Sequence, residues 1–250
     1  MRITLLGTGN AAGVPVYGCN CHACSMARIN TDLCRKPSSA IIDTGEQRYL
    51  IDAGMMNLAE RFPAGSVDGI FLTHFHVDHV QGLFHIRWGK GDELPVYCPN
   101  DSKGCADLYK HPGILQFNKL YKFKRLQLGR LQVTPLPLIH SKPTLGYLFE
   151  YNNQRIAYLT DTAGLPEKTR LWLQKYKPHL LVLDCSFPPR EHPPKGHNDL
   201  KLALAIHHDL QPYQTLLTHL SDDMDNWLMD NPDSLPPEVK VARDGMSLNL

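Results

Sequence analysis

Three imidazoles and a carboxylate, His74, His76, Asp78 and His79, fall within six consecutive positions directly behind the apolar run Gly69-Ile70-Phe71-Leu72. The run reads as a short buried strand. In extended backbone just past its end, His74 and His76 are two apart and point the same way. Asp78 and His79 then open a predicted helix, Asp78 to Arg87. A stretch that is strand-like in its first half and helical in its second presents ligands to two ions a few ångströms apart. Neutral imidazole is the commonest protein ligand for a transition metal, and the added carboxylate favours Zn, Mn or Fe over the thiolate metals. A merely His-rich surface loop has no reason to follow a buried strand at this spacing.

The same device recurs along the chain. Ile139-His140 ends the extended run Leu131 to Ile139, Leu159-Thr160-Asp161 ends a second run, and Leu217-Thr218-His219 ends a third. Four strand ends carrying metal-type side chains are an improbable chance recurrence, although spacing alone shows only that ligands are available. Pro135 and Pro137 imply that Leu131 to Ile139 is an edge strand. Asp52, in Asp52-Ala53-Gly54 after the strand Arg48 to Ile51, either orients metal histidines by hydrogen bonds or makes a turn before glycine. Asp184 ends another apolar strand, Leu180 to Leu183. His197 sits just before a predicted helix, Leu200 to His208, where the positive helix end would lower its pKa. Lys142 is either a point charge for a substrate phosphate or a solvated surface lysine.

Near the start, Cys19-x-Cys21-x-x-Cys24 enters a predicted helix, Ser25 to Leu33. Three sulfurs so spaced can converge on one zinc, closed by a fourth ligand from elsewhere; the alternative is reduced cysteines packed as small hydrophobes. Gly7-Thr8-Gly9 lacks the spacing of a nucleotide fingerprint and is a turn.

A chain of 250 residues, 42% hydrophobic, can bury a sizeable core. With no linker, repeat or low-complexity tract it is expected to be one domain, residues 1–250. The first strand is too short and too soon broken by Gly7 to be a signal segment, and no apolar run approaches membrane-spanning length. A cytoplasmic protein with no membrane partner is expected, and the odd count of seven cysteines suits metal binding better than disulfides. Net charge is +1 with both signs interspersed, so no nucleic-acid polymer is expected as a partner.

The motif His74-x-His76-x-Asp78-His79 resembles the signature of the metallo-β-lactamase superfamily. That resemblance implies an α/β fold, a four-layer αββα sandwich, with a one- or two-metal hydrolytic site at one edge. Carried over position by position, it implies that His74, His76 and His140 hold one ion, that Asp78, His79 and His219 hold the other, and that Asp161 bridges them. The cysteine loop, the segment His74 to Trp88, Leu136 to Lys142, Leu159 to Lys168 and Leu217 to His219 resemble, more narrowly, the PhnP family of phosphodiesterases. The family implies hydrolysis of 5-phospho-α-D-ribosyl 1,2-cyclic phosphate to ribose 1,5-bisphosphate in phosphonate catabolism by the carbon–phosphorus lyase pathway, with activity on 2′,3′-cyclic nucleotides. It also implies a manganese pair (or zinc or iron), one structural zinc and a homodimer. His197 is the candidate general acid, with Asp78 beside it as the second catalytic candidate. Lys142 and Arg87 are candidate contacts to the 5-phosphate. The family closes its structural zinc with a histidine where this chain has Asp222, so the expected set is Cys19, Cys21, Cys24 and Asp222. The rivals are a transfer-RNA 3′-processing nuclease of the same superfamily, which needs an RNA-gripping arm, and a non-catalytic binding protein, which would lack some of the ligands.

Overall fold

The computed structural model describes residues 1–192 and 194–250. The first half of the chain builds β1 (Arg2–Gly7), α1 (His22–Ile29), β2 (Ser39–Asp43), β3 (Arg48–Ile51), α2 (Leu58–Arg61), β4 (Gly69–Phe71), α3 (Val77–Val80), α4 (Leu83–Ile86), β5 (Leu94–Pro99), α5 (Ala106–Lys110) and β6 (Leu115–Leu120). The second half builds β7 (Leu126–Leu128), β8 (Leu131–Pro137), β9 (Leu145–Tyr151), β10 (Gln154–Leu159), α6 (Glu167–Tyr176), β11 (Leu180–Asp184), α7 (Leu200–Leu210), β12 (Gln214–Thr218), α8 (Asp222–Asp230), β13 (Val239–Val241) and β14 (Ser247–Asn249).

The strands form two mixed sheets, ordered β14-β1-β2-β3-β4-β5-β6 and β13-β12-β11-β10-β9-β8-β7. Alternation along each strand sorts its side chains into two layers. Tyr49 and Ile51 of β3 and Phe71 of β4 meet Tyr147 and Phe149 of β9 and Ile156 and Tyr158 of β10 between the sheets. Leu50 and Ile70 face the other way, towards Leu58 of α2 and Leu83 of α4. Leu148, Ala157, Leu181 and Leu183 likewise face Leu173 of α6 and Leu200 and Ala203 of α7. Both faces of the central strands are therefore buried, and helices cover the outside: this is the four-layer αββα sandwich.

Within each sheet the strands joined by helical crossovers are parallel: β3 to β6 in the first, β10 to β13 in the second. Their carboxyl ends lie at the same edge. Asp52 and the His74 to His79 segment follow β3 and β4, and Asp161, Asp184 and His219 end or follow β10, β11 and β12. Hydrogen bonds join the two sheets there: Leu145 N donates to Thr73 O at 2.9 Å, and the Tyr147 hydroxyl donates to Leu72 O.

Two sequence expectations need correction. The single helix Asp78 to Arg87 is two short helices, α3 and α4, because the chain between them is drawn onto the loop after β3. Ala53 N donates to His79 O and Gly82 N to Ala53 O, both at 2.8 Å. A Cβ on Gly54 would lie 1.8 Å from the Asp78 carbonyl oxygen, so this interlock requires glycine. Strand β8 is not an edge strand, since β7 lies outside it. However, β7 pairs only as far as Val133, so Pro135 and Pro137 fall where the outer neighbour has ended.

Candidate metal centre

Seven of the predicted side chains converge at the shared edge. On one side, His76 Nδ1 lies 2.8 Å from His74 Nε2 and 3.1 Å from His140 Nε2. On the other, His79 Nε2 lies 3.2 Å from an Asp78 carboxylate oxygen, and His219 Nε2 lies 3.8 Å from the same oxygen. Asp161 stands between the two groups. One of its oxygens is 3.6 Å from His74 Nε2, 3.4 Å from His79 Nε2 and 3.8 Å from His140 Nε2, and the other is 3.3 Å from His219 Nε2.

Four of the five imidazoles are aimed by the remaining nitrogen, Nδ1, whereas His76 turns its Nδ1 to the cluster. His79 Nδ1 donates to Asp52 at 2.7 Å and His140 Nδ1 to the Gly196 carbonyl at 2.8 Å. His74 Nδ1 meets the Thr73 hydroxyl at 3.0 Å, which itself donates to Asp52 at 2.9 Å. His219 Nδ1 meets the Ser186 hydroxyl at 2.8 Å, and that hydroxyl donates to Asp184 at 2.8 Å. Holding Nδ1–H this way fixes the tautomer and turns the Nε2 lone pair inward. Asp52, read from sequence as either an orienting or a turn residue, does both: its φ is +59° and it carries His79 and Thr73.

Whether ions fit can be judged from what these groups lack. Nε2 of His79 and Nε2 of His219 are buried without a hydrogen-bond partner, an expensive state for a polar atom unless something occupies the space they face. Burial, with His79 beside it, pushes His74 well below the ordinary histidine range, and burial with His140 lowers His76. Neutral imidazole is the ligating form. Burial works against the charge of Asp161, yet His219 and His79 outweigh it and hold the carboxyl well below the usual range. Five imidazoles and two carboxylates are a donor set suited to borderline dications such as Zn, Mn or Fe.

His197 opens on the same cavity, which is also lined by His76, Asp78, Asp161, Phe187 and His219. Its ring stacks on His219 at 4.8 Å between centroids. The expectation of a lowered pKa at a helix start is overturned. Burial does disfavour the charge, but Nδ1 is hydrogen-bonded at 2.9 Å to Asp184, whose charge raises His197 to about 9. Asp184 is not itself free to bind an ion. One oxygen accepts from Ser186 N and Oγ, and the other from Thr162 N and His197.

Arg87 is also corrected. Its guanidinium donates to Asp107 at 2.7 Å and lies on the Phe84 and Trp88 rings, 4.9 and 4.7 Å from their centroids, so it braces α4 rather than meeting a substrate. Lys142 does not line the cavity. It borders an adjoining groove with Lys103 and Ser141. Sequence reading missed Asn10, Ala11, Ser186 and Phe187 as cavity walls. Only Ser186, two residues after a strand-end aspartate, left a usable signal.

The cysteine loop finds its fourth group. An Asp222 oxygen lies 3.2 Å from Cys19 Sγ and 3.6 Å from both Cys21 Sγ and Cys24 Sγ. A tetrahedron with zinc–sulfur and zinc–oxygen bonds of about 2.3 and about 2.0 Å sets sulfur–oxygen separations near ~3.5 Å, so the spacing fits. Cys34 is turned to the Ala27 carbonyl and Asp223 is exposed, whereas Asp222 stands beside the three sulfurs.

A β-lactamase superfamily domain matches residues 47–220, and the chain belongs to that superfamily. Within it, the chain is similar to a diphosphatase of the PhnP family, whose crystal structure superposes with a TM-score of 0.85 at 26% identity over 100% of this chain and 97% of that one. It is 30% identical over 209 residues to coenzyme PQQ synthesis protein B of Methylobacterium radiotolerans, covering 68% of each chain. It is 29% identical to an octanoyltransferase of Porphyromonas gingivalis over 98% of this chain, which spans 51% of that relative's length.

Proposed function

We propose that the protein is a two-metal phosphodiesterase acting on small cyclic phosphodiesters, with 5-phospho-α-D-ribosyl 1,2-cyclic phosphate as its substrate and 2′,3′-cyclic nucleotides as further ones. The observation that carries this reading is a cavity lined by four of the seven convergent metal-type side chains, His76, Asp78, Asp161 and His219, together with His197, which is hydrogen-bonded to Asp184. His74, His76 and His140 would hold one dication and Asp78, His79 and His219 the other, with Asp161 shared; manganese is the expected metal, with zinc or iron as alternatives. Bound there, the pair would supply an activated water and neutralise charge developing on the phosphate.

The rest falls to the chain itself. Asp52, Thr73 and Ser186 keep the imidazole tautomers fixed before substrate arrives. Asp184 holds Nδ1–H of His197, so the other ring nitrogen carries the proton that the leaving alkoxide needs. The Asp184 carboxylate favours the charged form of His197, the sense that a general acid needs. The non-catalytic alternative is disfavoured because no member of the expected set is missing. The transfer-RNA alternative is disfavoured because no inserted RNA-gripping arm is present among the described residues.

Phosphorus NMR of 5-phospho-α-D-ribosyl 1,2-cyclic phosphate with the manganese-loaded protein tests the reading. Conversion to ribose 1,5-bisphosphate is expected. Cleavage of a generic diester without turnover of this compound would keep the two-metal centre and discard the phosphonate role. Light scattering reads the homodimer that the same resemblance implies.

Cys19, Cys21, Cys24 and Asp222 would hold a structural zinc that ties the loop before α1 to the start of α8. Carboxylate is a harder donor than imidazole, so Asp222→His is expected to slow zinc loss to a colorimetric chelator and Asp222→Ala to hasten it. Equal release rates from all three proteins would remove Asp222 from the site.

A further inference from the structure

The charge balance of the whole chain, +1, hides a local imbalance. Residues 108–149 include seven lysines and arginines and no aspartate or glutamate. The expectation of no nucleic-acid partner rests on the whole-chain balance and overlooks this run.

The fold brings part of it to the metal centre. The carboxyl ends of β5, β6 and β8 lie at the same edge as the metal-type side chains, and between them runs a groove of about 640 Å³ lined by Asn100, Tyr121, Lys122 and Lys142. A second hollow of about 450 Å³ shares Asn100 and Lys142 with it and adds Lys103 and Ser141. The Ser141 hydroxyl lies 3.4 Å from His76 Nε2, so the groove leads onto the centre. The cavity at the centre is only about 130 Å³, against the ~300 Å³ at which pockets begin to enclose a drug-sized ligand. A substrate larger than a sugar phosphate therefore has to continue outside it, and the groove is where the cations lie.

Lysines that serve solubility alone are interspersed with acids. Here, among the described residues, Lys103, Lys122, Lys124 and Lys142 meet no carboxylate within ion-pair distance, whereas the flanking Arg125 and Arg130 are paired with Glu150 and Glu46. Asp101 borders the groove, but it is only 5% exposed and one of its oxygens accepts from Lys103 N at 2.9 Å. Among the lysines Tyr121 is 58% exposed, with Lys124 Nζ 5.8 Å from its ring centroid. A positively charged groove with an exposed aromatic face set among the cations is how single-stranded nucleic acid is gripped without regard to sequence: the cations take the phosphates and a base stacks on the ring. An acidic polypeptide would engage the lysines and leave the ring unused.

We propose that the groove is a track for single-stranded nucleic acid, with phosphates on Lys103, Lys122 and Lys142, a base on Tyr121, and the 3′ end of the chain delivered over Ser141 to the metal centre. On the phosphodiesterase reading above, on which only this delivery rests, the centre opens a 2′,3′-cyclic phosphate at the end of a ribonucleotide chain. Water adds to phosphorus, one ribose P–O bond breaks, and the freed sugar oxygen takes a proton, leaving a terminal phosphomonoester. Such ends form when a ribose 2′-hydroxyl attacks the neighbouring phosphodiester, so the supplying reaction is RNA cleavage by internal transesterification.

Fluorescence anisotropy of a labelled octaadenylate with a 3′-hydroxyl end, which offers no cyclic phosphate to open, tests the track on the metal-loaded protein. Binding is expected to weaken with salt at a log–log slope of about −2, from three phosphates at ~0.7 each. Y121A is expected to weaken it roughly 5- to 100-fold at unchanged slope, with Y121F close to the parent. K122Q is expected to make the slope shallower by about 0.7. No binding of the octamer, equal binding of a polyglutamate of matching charge, or parental binding by both Y121A and K122Q would overturn the track. Delivery is read from a pentaadenylate ending in a 2′,3′-cyclic phosphate, which the parent should open at a lower KM than adenosine 2′,3′-cyclic phosphate, a difference that Y121A should erase. Equal KM values in the parent would overturn delivery. If the parent opens neither compound while octamer binding still responds to Y121A and K122Q, the phosphodiesterase reading falls and the track stands.

Discussion

Replacing His197 by alanine is expected to lower kcat on a cyclic phosphodiester about 10²- to 10⁴-fold, the usual contribution of a positioned general acid. The same variant should lose far less on bis(4-nitrophenyl) phosphate, because a nitrophenolate departs without needing a proton. Asp184→Asn probes the other half of the pair. With Asp184 present, burial is outweighed and His197 sits at about 9 before any dication is bound; bound dications lower that value. The acid form is the active one, so kcat falls as pH rises through the working pKa. Removing the Asp184 charge moves that fall to lower pH, towards or below the unperturbed value of about 6.5. An equal loss on both leaving groups, or an alkaline limb unmoved by Asp184→Asn, would remove His197 from the proton-transfer step.

The second large effect lies away from the chemistry. Arg35 is fully buried and forms a two-pronged pair with Asp225 of α8, 2.6 and 2.8 Å, while also donating to the Thr8 hydroxyl and the Ala242 carbonyl. Arg35→Met leaves the Asp225 carboxylate buried without its cation. A loss of about 3–5 kcal/mol in unfolding free energy is expected from denaturant titration. The double variant Arg35→Met with Asp225→Leu should recover most of it, since removing both charges leaves none stranded. Because Thr8 O accepts from Leu220 N, next to His219, the single variant should also loosen the segment that carries that histidine. A single variant as stable as the parent would show that the pair is not holding α8 in place.

The ligand types were legible because strand, terminal residue and side-chain chemistry are all local properties. His74, His140, Asp161 and His219 each close a run of apolar residues, and such runs mark strands buried on both faces. The hydrogen bonds that aim these side chains were not legible. Asp52 reaches His79 from 27 positions away, Asp184 reaches His219 only through Ser186, and Arg35 finds Asp225 across 190 positions. No pattern in the chain records such meetings. The pKa of His197 was misjudged for the same reason: the helix start is visible in sequence, but Asp184 beside the ring is not, and a full charge at 2.9 Å outweighs a helix end. Elements at the rims were missed because their patterns are weak. Strand β6 alternates poorly at a sheet edge, and α8 opens with Asp222 and Asp223, for which no element is read from the sequence although acids suit a helix start.

The centre draws on both halves of the sandwich: His74, His76, Asp78 and His79 follow a strand of one sheet, while His140, Asp161 and His219 follow strands of the other. Ions held there would rivet the two sheets together at one edge, adding a stabilisation that grows with free metal concentration. Metal scarcity would then shorten the protein's lifetime as well as slow its reaction. Digestion rates by a metal-independent protease, with and without chelator, would separate a rivet from a mere reagent.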